Sequence, residues 1–302
     1  MSRLLPYQFR GGLAVVTGAA SGIGEQLAKQ LAIRGSNLHL VDRDETRLAA
    51  VADRIARNNP AVTARIAIFD LEAIENLSEL AEDVIKNGSP TLLVNNAGVA
   101  LGGQFHQLTL EEFDWVLRVN FRAAVGLTHH LLPALIRSPG SHVVNVSSAY
   151  GLVTPRGQSA YVASKFALRG FSDVLRLELF DHGVGVTTVY PGGVRTRIAA
   201  NSRRAARVPI QEFEAGRDWV AARLTYPPER AAAEILAAVQ RRRPRVLITQ
   251  TAHFLDLIAR LAPAGQAKAL ERIFGRDRHR RPPRHTAFSI DRAPGHRDAD
   301  PQ

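Results

Sequence analysis

The segment Leu13-Ala14-Val15-Val16-Thr17-Gly18-Ala19-Ala20-Ser21-Gly22-Ile23-Gly24 joins a short apolar run to three closely spaced glycines. The apolar run predicts a buried strand, and the residues from Gly22 onward predict a helix. A tight turn between them needs residues without a Cβ atom, and it brings backbone N–H groups and the positive end of the helix dipole together. This arrangement predicts a pyrophosphate site of the dinucleotide-binding type. A plain strand–helix turn is the alternative interpretation of the same glycines.

Strand and helix patterns alternate along the rest of the chain. The predicted strands are Leu13–Thr17, Asn37–Val41, Ala64–Phe69, Thr91–Asn95, His142–Val146, Gly185–Val189 and Arg245–Ile248. The predicted helices are Gly22–Arg34, Glu45–Asn58, Glu75–Lys86, Glu111–Leu135, Ser159–His182 and Pro228–Arg241. Continuous Val, Leu and Ile runs are typical of strands buried on both faces. The pattern therefore predicts an α/β fold, a Rossmann-type, doubly wound and mainly parallel sheet flanked by helices in a single domain.

Composition divides the chain into four parts. Residues 1–10 form an amino-terminal arm, and residues 11–250 form a dinucleotide-binding catalytic domain with a flap at about 195–225. Residues 251–275 predict an amphipathic helical extension, and residues 276–302 predict a disordered basic tail. The apolar stripe around Phe254, Leu257 and Leu261 has three interpretations: packing on the sheet, contact with a neighbouring subunit, or peripheral contact with a membrane surface.

Charge and cysteine content exclude several classes of protein. The 302 residues carry a formal net charge of +11 and include no cysteine, which excludes disulfides, zinc–thiolate centres and cysteine nucleophiles. The basic residues are mostly Arg and concentrate late in the chain, without an aromatic platform, so no specific nucleic-acid binding is predicted. No apolar run reaches the ~18 residues of a membrane span. We therefore expect a soluble, cytoplasmic protein.

An acidic residue follows the second predicted strand, where it can select the coenzyme. Asp42 lies 18 residues beyond Gly24, a spacing at which a carboxylate binds the adenosine ribose hydroxyls. Its charge opposes the extra phosphate of NADP, and Ser21 is not basic. Arg43 favours that phosphate instead, because a guanidinium can pair with it. The sequence favours NAD, with NADP as the alternative.

Over Leu13–Thr196 the chain resembles the classical short-chain dehydrogenase/reductase (SDR) family. The matching motifs are the glycine segment, Asp70, Asn95-Asn96-Ala97-Gly98, Asn120, Ser148 placed 13 residues before Tyr161, Tyr161-Val162-Ala163-Ser164-Lys165 and Pro191-Gly192-Gly193-Val194-Arg195-Thr196. The resemblance implies coenzyme contacts at Gly18, Ser21, Gly22, Ile23, Gly24, Asp42, Arg43, Asp70, Leu71, Asn96, Ala97, Gly98, Tyr161, Lys165, Pro191, Gly192, Val194 and Thr196. It also implies a homodimer or homotetramer formed through the Glu111–Leu135 and Ser159–His182 helices.

The same resemblance implies a catalytic set of four residues. Tyr161 exchanges a proton with an alcohol or carbonyl oxygen, and Ser148 binds that oxygen. Lys165 holds the nicotinamide ribose, and Asn120 anchors a water for proton relay. Because Tyr161 and Lys165 are four residues apart, they share a helix face. We expect the ammonium and the cationic nicotinamide ring together to lower the phenol pKa from its usual value of ~10 toward neutrality.

The resemblance implies an NAD(P)-dependent oxidoreductase that interconverts a secondary alcohol and a ketone or aldehyde, and the apolar C-terminal stripe favours a hydrophobic small-molecule substrate. Phe105 and Tyr150 are candidates for the pocket lining. An alternative is a reductase of acyl-carrier or acyl-CoA intermediates that uses NADPH, steered by arginines of the flap. A non-catalytic nucleotide-binding or scaffold protein is a third hypothesis. His129 and His130 are neighbours on one helix and cannot face one ligand together, so no metal site is predicted.

Overall fold

The fold is an open parallel sheet between layers of helices, seen in a computed structural model that describes residues 4–274, with side chains to 272. The strands are β1 (Leu13–Thr17), β2 (Asn37–Asp42), β3 (Ala64–Ile68), β4 (Pro90–Asn95), β5 (Leu101–Gly102), β6 (His142–Val146), β7 (Gly185–Pro191), β8 (Arg203–Arg204) and β9 (Arg245–Ile248). The helices are α1 (Gly22–Ile33), α2 (Glu45–Asn58), α3 (Leu77–Lys86), α4 (Leu110–Leu117), α5 (Ala123–Ile136), α6 (Ser159–Phe180), α7 (Ile210–Ala221), α8 (Pro228–Gln240), α9 (Gln250–Leu261) and α10 (Gln266–Phe274). The tail predicted at 276–302 lies outside the described residues.

Seven strands form the main sheet in the order β3-β2-β1-β4-β6-β7-β9, and every neighbouring pair is parallel. The strand order runs outward from β1 to β3 on one side and from β4 to β9 on the other, as expected of a doubly wound sheet. The predicted fold class is confirmed. Every main-sheet strand therefore ends at the same edge, and the loops that follow β1, β4, β6 and β7 meet there.

Two apolar layers cover the sheet, which explains why the central strands are apolar throughout. In β1, Ala14 and Val16 face the layer with α1, α2 and α8. Leu13 and Val15 face the opposite layer with α3, α5 and α6. Successive residues of a strand point to opposite faces, so a strand covered on both sides needs apolar residues at every position.

The edge strand β3 differs from the prediction that the strands are buried on both faces. None of its residues is fully buried, and Ile66 and Ile68 are exposed. Within residues 4–274 the strand pairs only with β2 and stands at the edge of the sheet. The apolar run at Ala64–Phe69 predicted a strand here, one residue longer than β3, but whether a strand is central depends on the sheet order.

The predicted helix Glu111–Leu135 is continuous but not regular. A π-helical turn at Arg118–Arg122 separates α4 from α5, and Asn120 lies buried inside it. A π turn adds one residue to the helical repeat, and such turns frequently occur at functional sites. Here the turn places Asn120 against the end of β4.

The amino-terminal arm is anchored at the amino edge of the sheet, opposite the glycine segment. The Arg242 guanidinium donates to the Leu5 carbonyl at 2.9 Å and to the Ser141 carbonyl at 2.8 Å. It also lies 2.9 Å from Nδ1 of buried His142. Tyr7 is buried beside them and donates its N–H to the Gln240 carbonyl at 3.0 Å. The arm is thereby joined to the end of α8 and the start of β6.

The flap and the C-terminal helices pack on the domain. β8 pairs with β5, and Val208 and Phe213 of the flap pack with Trp115 in one apolar cluster. The extension predicted at 251–275 forms two helices, α9 and α10, with a break between Leu261 and Gln266. Within residues 4–274, no helix is both long enough and apolar enough to cross a bilayer.

Candidate active site

The glycine segment forms a narrow loop between β1 and α1. Gly18 and Gly22 have φ values of +66° and +58°, which residues with a Cβ atom rarely adopt. A Cβ atom at Gly18 would lie 2.9 Å from Ala97, and one at Gly22 would lie 3.0 Å from Thr196. These glycines therefore let the loop approach the two segments opposite it closely.

The first turn of α1 is not capped by a side chain. Ser21 occupies the N-cap position with extended backbone, but its hydroxyl caps no N–H group. The opening N–H groups of a helix have no partner within the helix, and they bind anions well. Ile23 and Gly24 are buried behind this turn. The loop thus fits a pyrophosphate, as its sequence predicted.

Asp42 ties the end of β2 to this loop. One carboxylate oxygen accepts the Ala20 N–H at 3.0 Å, and the other accepts the Asp44 N–H at 3.1 Å. Arg43, which the sequence offered as a partner for a phosphate, instead lies 3.3 Å from the Asp70 carboxylate. Both side chains of that pair are about half exposed, so the pair is weak and a ligand can compete for Arg43.

The segment after β4 is held against the glycine loop by a residue that the sequence motifs did not single out. The buried Thr17 hydroxyl accepts the N–H groups of Asn96 at 3.0 Å and Ala97 at 3.1 Å. The Asn96 side chain donates back to the Thr17 carbonyl at 2.9 Å. The only sequence signal for this role was a hydroxyl at the point where β1 ends.

Asn120 is committed to contacts inside the protein. Its Oδ1 accepts the Val99 N–H at 2.7 Å, and its Nδ2 donates to the Val99 carbonyl at 3.0 Å and to Ser164 Oγ at 3.1 Å. Ser164 in turn donates to the Tyr161 carbonyl at 2.7 Å. Asn120 therefore positions α6. Because both N–H groups of its side-chain amide are occupied, a relay water can bind only to the oxygen atoms of Asn120. Ser164 is a second site residue that the motifs did not single out.

Tyr161 and Lys165 lie together on α6, both buried. The Lys165 ammonium is 5.7 Å from the centroid of the Tyr161 ring, and it donates to the Val146 carbonyl at 3.0 Å. A Cβ atom at Gly98 would lie 3.5 Å from Lys165 Nζ and 3.3 Å from Asn120 Oδ1. The end of β4 therefore packs directly against the predicted catalytic residues.

The Lys165 ammonium does not by itself lower the pKa of Tyr161. Burial raises the pKa of Tyr161 to about 12, a hydrogen bond with Ser148 lowers it, and nearby Tyr150 raises it. Lys165 lies over the ring rather than at the hydroxyl, so it does not offset the burial. Burial also lowers the pKa of Lys165 to about 8. Desolvation disfavours both charged forms.

Ser148 ends the segment after β6 and begins a short turn at Ala149–Gly151. Its hydroxyl accepts the Tyr150 N–H at 3.1 Å. The Tyr150 ring lies edge-on to Tyr161 with 6.2 Å between centroids. Phe105 is largely exposed and stacks edge-on against Phe113 at 6.0 Å.

The segment after β7 closes the site from the other side. Val194 is buried and bridges to Tyr226, and Thr196 faces Gly22 across the cleft. Pro191 ends β7, and the Gly192 N–H donates to the Ile248 carbonyl at 2.9 Å. A Cβ atom at Gly192 would lie 2.1 Å from Thr249 Oγ1, so only glycine fits there.

Three flap arginines that were candidates for steering an anionic substrate have partners within the protein. The Arg203 guanidinium lies 3.9 Å from the centroid of Trp115. Arg204 donates to the Val208 carbonyl, and Arg207 donates to the His106 carbonyl at 3.3 Å. These contacts hold the flap on the domain.

Most of the predicted site residues lie at or just after the carboxyl ends of parallel strands. The exceptions include Asn120, in the π turn, and Tyr161 and Lys165, on α6. Leu71, which follows Asp70 after β3, is buried in the layer with α3. The arrangement defines a dinucleotide-binding α/β protein with a buried Tyr–Lys pair beside its glycine loop. A ligand between the loop and Tyr161 would touch residues from β1, β2, β4, β6 and β7.

Comparison with known proteins agrees with this class. A family model described as short chain dehydrogenase matches residues 12–207. A putative oxidoreductase, SadH, of Mycobacterium tuberculosis is 36% identical over 259 residues, which cover 84% of this chain and 91% of the relative. The chain therefore belongs to the short-chain dehydrogenase family of oxidoreductases, and the resemblance stated from its motifs is confirmed.

Solved structures of the family share the fold. A short chain dehydrogenase/reductase from Burkholderia phymatum, in complex with NAD, has a TM-score of 0.75 and 26% identity, covering 93% of this chain and 100% of that chain. A short-chain dehydrogenase from Sphingobium yanoikuyae, in complex with NADPH, has a TM-score of 0.69 and 26% identity over the same shares. Members of this fold thus bind either coenzyme.

Proposed function

We propose that this protein is an NAD(P)-dependent dehydrogenase/reductase that interconverts a secondary alcohol and a ketone or aldehyde. The observation that carries the proposal is that Tyr161 and Lys165 are buried together on α6, with Ser148 hydrogen-bonded to Tyr161. The nicotinamide coenzyme, when bound, supplies or accepts the hydride. The chain's own residues bind the coenzyme, orient the substrate oxygen and move its proton.

The coenzyme site fits a dinucleotide at both ends. The uncapped start of α1 binds the pyrophosphate, and Asp42 accepts the ribose hydroxyls with its remaining lone pairs. The carboxylate opposes a 2′-phosphate, so NAD is the preferred coenzyme and NADP the alternative. Lys165 keeps two N–H donors beyond its bond to Val146 for the nicotinamide ribose.

Proton transfer is assigned to Tyr161. In the reductive direction the neutral phenol donates its proton to the carbonyl oxygen, and a pKa of about 12 keeps that phenol protonated near neutral pH. In the oxidative direction Tyr161 must first lose its proton, which burial opposes. Ser148 donates a hydrogen bond to the oxygen as its negative charge grows.

The substrate pocket is assigned to the space between Tyr150 and the flap. The proposed lining consists of Leu101 and Leu108 before α4 and Val208 in the flap, which are buried together in one apolar cluster. This lining supports a hydrophobic substrate.

The protein is proposed to form a homodimer or homotetramer. Val174 and Leu177 are exposed on the outer face of α6, which is one of the two helices through which the resemblance implies association. Sedimentation velocity on the purified chain tests this assembly, and a single monomer peak at micromolar concentration would contradict it.

The function is tested with a panel of secondary alcohols, ketones and aldehydes, assayed with NAD(H) and NADP(H) in parallel. Absorbance of the reduced coenzyme measures turnover, and Ser148→Ala and Tyr161→Phe are the site variants. Turnover of at least one hydrophobic pair that both variants reduce by about 10²-fold or more supports the proposal. Coenzyme binding without turnover across the panel would favour a non-catalytic nucleotide-binding protein.

A further inference from the structure

The C-terminal helices contact the segment that carries Ser148. Leu152 and Val153, which follow the turn after Ser148, are fully buried. They share one apolar cluster with Leu255 of α9 and Leu270 of α10. Leu270 is only 5% exposed, although it lies close to the end of the described chain. The segment therefore has the C-terminal helices as one of its walls.

The other wall is α6, which carries Tyr161 and Lys165. A Cβ atom at Gly151 would lie 2.4 Å from Ser147 Oγ and 3.0 Å from the Lys165 carbonyl oxygen. Arg169, one turn further along α6, donates to the Gly151 carbonyl at 3.3 Å. The turn Ala149–Gly151 is therefore held between α6 and the helix pair α9–α10.

A second contact joins α10 to the same segment. The Arg156 guanidinium lies 2.9 Å from the carboxylate of Glu271, the residue after Leu270. Both side chains are mostly exposed, so solvent screens the pair and it contributes little alone. The buried Leu270 side chain is the apolar contribution of α10 to the cluster that contains Leu152 and Val153.

We propose that Leu270 is a positioning residue for the reaction, which holds the Ser148 hydroxyl and the adjacent pocket wall at the distance from Tyr161 that proton transfer needs. The proposal rests on the proposed function. Ser148 is tied to the turn because its Oγ accepts the Tyr150 N–H at 3.1 Å. A shift of the turn therefore shifts the hydroxyl. The family model ends at residue 207, so Leu270 lies in a part of the chain beyond the matched region.

The test compares full-length Leu270→Ala with Leu261→Ala. Both changes remove the same atoms from the C-terminal helices, but Leu261 is 77% exposed and has no place in the buried cluster. Leu270→Met restores the volume and serves as the rescue variant. Leu270→Val replaces Leu270→Ala if the latter is unfolded at the assay temperature.

We expect Leu270→Ala to lower kcat/KM by about tenfold or more, mainly through kcat, because the Ser148 hydrogen bond strengthens in the transition state. The dissociation constant for NADH is expected to stay within about twofold of the parent value, since the glycine loop is held by other elements. The stoichiometry of NADH binding reports the fraction of folded enzyme, which a loss of structure alone would lower. Leu261→Ala and Leu270→Met are expected to match the parent.

Hydrogen exchange separates this proposal from the proposed function. Faster amide exchange at residues 149–153 in Leu270→Ala supports the positioning contact even if the parent turns over no substrate, an outcome that would overturn only the proposed function. The positioning proposal is wrong if the parent is active and folded Leu270→Ala keeps its kcat/KM. It is also wrong if exchange at residues 149–153 does not change.

Discussion

Replacing Gly24 by alanine tests whether the glycine loop is built for close approach of a phosphate. An added Cβ atom would lie 2.1 Å from the Gly18 carbonyl oxygen and 2.6 Å from Asn96 Nδ2. The Gly18 carbonyl oxygen belongs to the backbone and cannot swing away, and the Asn96 side chain is held in place by its 2.9 Å hydrogen bond to the Thr17 carbonyl. The loop and α1 must therefore separate.

The size of the effect follows from that distance. Ordinary contact requires about 1 Å of relative movement, and an error of that size in the placement of binding groups costs roughly 10²-fold. Losing one or two charge-assisted hydrogen bonds to the pyrophosphate, at about 1.5–3 kcal/mol each, gives a similar loss. We expect the dissociation constant for NADH to rise about 100-fold. Strain from the added methyl group is expected to lower the unfolding free energy by about 1–3 kcal/mol.

The assay is fluorescence titration with NADH, together with thermal unfolding, and Gly216→Ala is the matched control. Gly216 lies within α7, and a Cβ atom there would meet nothing within 4 Å. Alanine inside a helix is expected to raise the unfolding free energy by about 0.5–1 kcal/mol and to leave coenzyme binding unchanged. If folded Gly24→Ala binds NADH as tightly as the parent, the assignment of the loop to the pyrophosphate is refuted.

Three further measurements follow from the site and the core. With the pKa of Tyr161 raised to about 12, the rate of alcohol oxidation should rise with pH between about 7 and 9, whereas the rate of carbonyl reduction should not. Tyr161→Phe should lower both rates by about 10²-fold or more. A flat pH profile for oxidation would contradict this. Asp42→Asn should raise the kcat/KM for NADP relative to that for NAD by about tenfold, because it removes the charge that opposes the 2′-phosphate. An unchanged ratio in initial-rate assays would show that the Asp42 carboxylate does not select the coenzyme. Burial lowers the pKa of His142 well below its ordinary value, and the charge of Arg242 lowers it further. Below about pH 6.5 the unfolded chain therefore binds a proton at this residue that the folded chain does not. Unfolding free energy from urea titrations should therefore fall as pH drops below about 6.5, with a shallower slope in His142→Asn; equal slopes would disprove this source of acid sensitivity.

Local patterns in the sequence predicted most of the framework of the site. Leu13–Thr17 and His142–Val146 are strands with the predicted limits, because a run of apolar residues of this length between polar turns specifies a buried strand. The glycines at 18 and 22 adopt positive φ values, as the turn chemistry required. Tyr161 and Lys165 share one helix face because the helical repeat places residues four apart together.

Contacts between distant parts of the chain decided the properties that pattern reasoning missed. The pairing of Arg43 with Asp70 joins residues from the ends of β2 and β3. The Asn120 side-chain amide forms all its hydrogen bonds to Val99 and Ser164 because a π turn brings it next to both residues. Neither contact leaves a periodic signal, since the partners are more than 20 residues apart.

The sequence by itself determined the order of strands and helices, the glycine loop and the spacing of Tyr161 and Lys165, because these depend on backbone sterics and on the periods of single elements. Only the tertiary structure decided how strongly Tyr161 holds its proton and what supports Ser148. Burial of the phenol raises its pKa to about 12. Leu270, more than 100 residues after Ser148 in the chain, packs in the cluster that supports the Ser148 turn. Desolvation and packing are sums over every neighbour in space, and those neighbours exist only once the chain has folded.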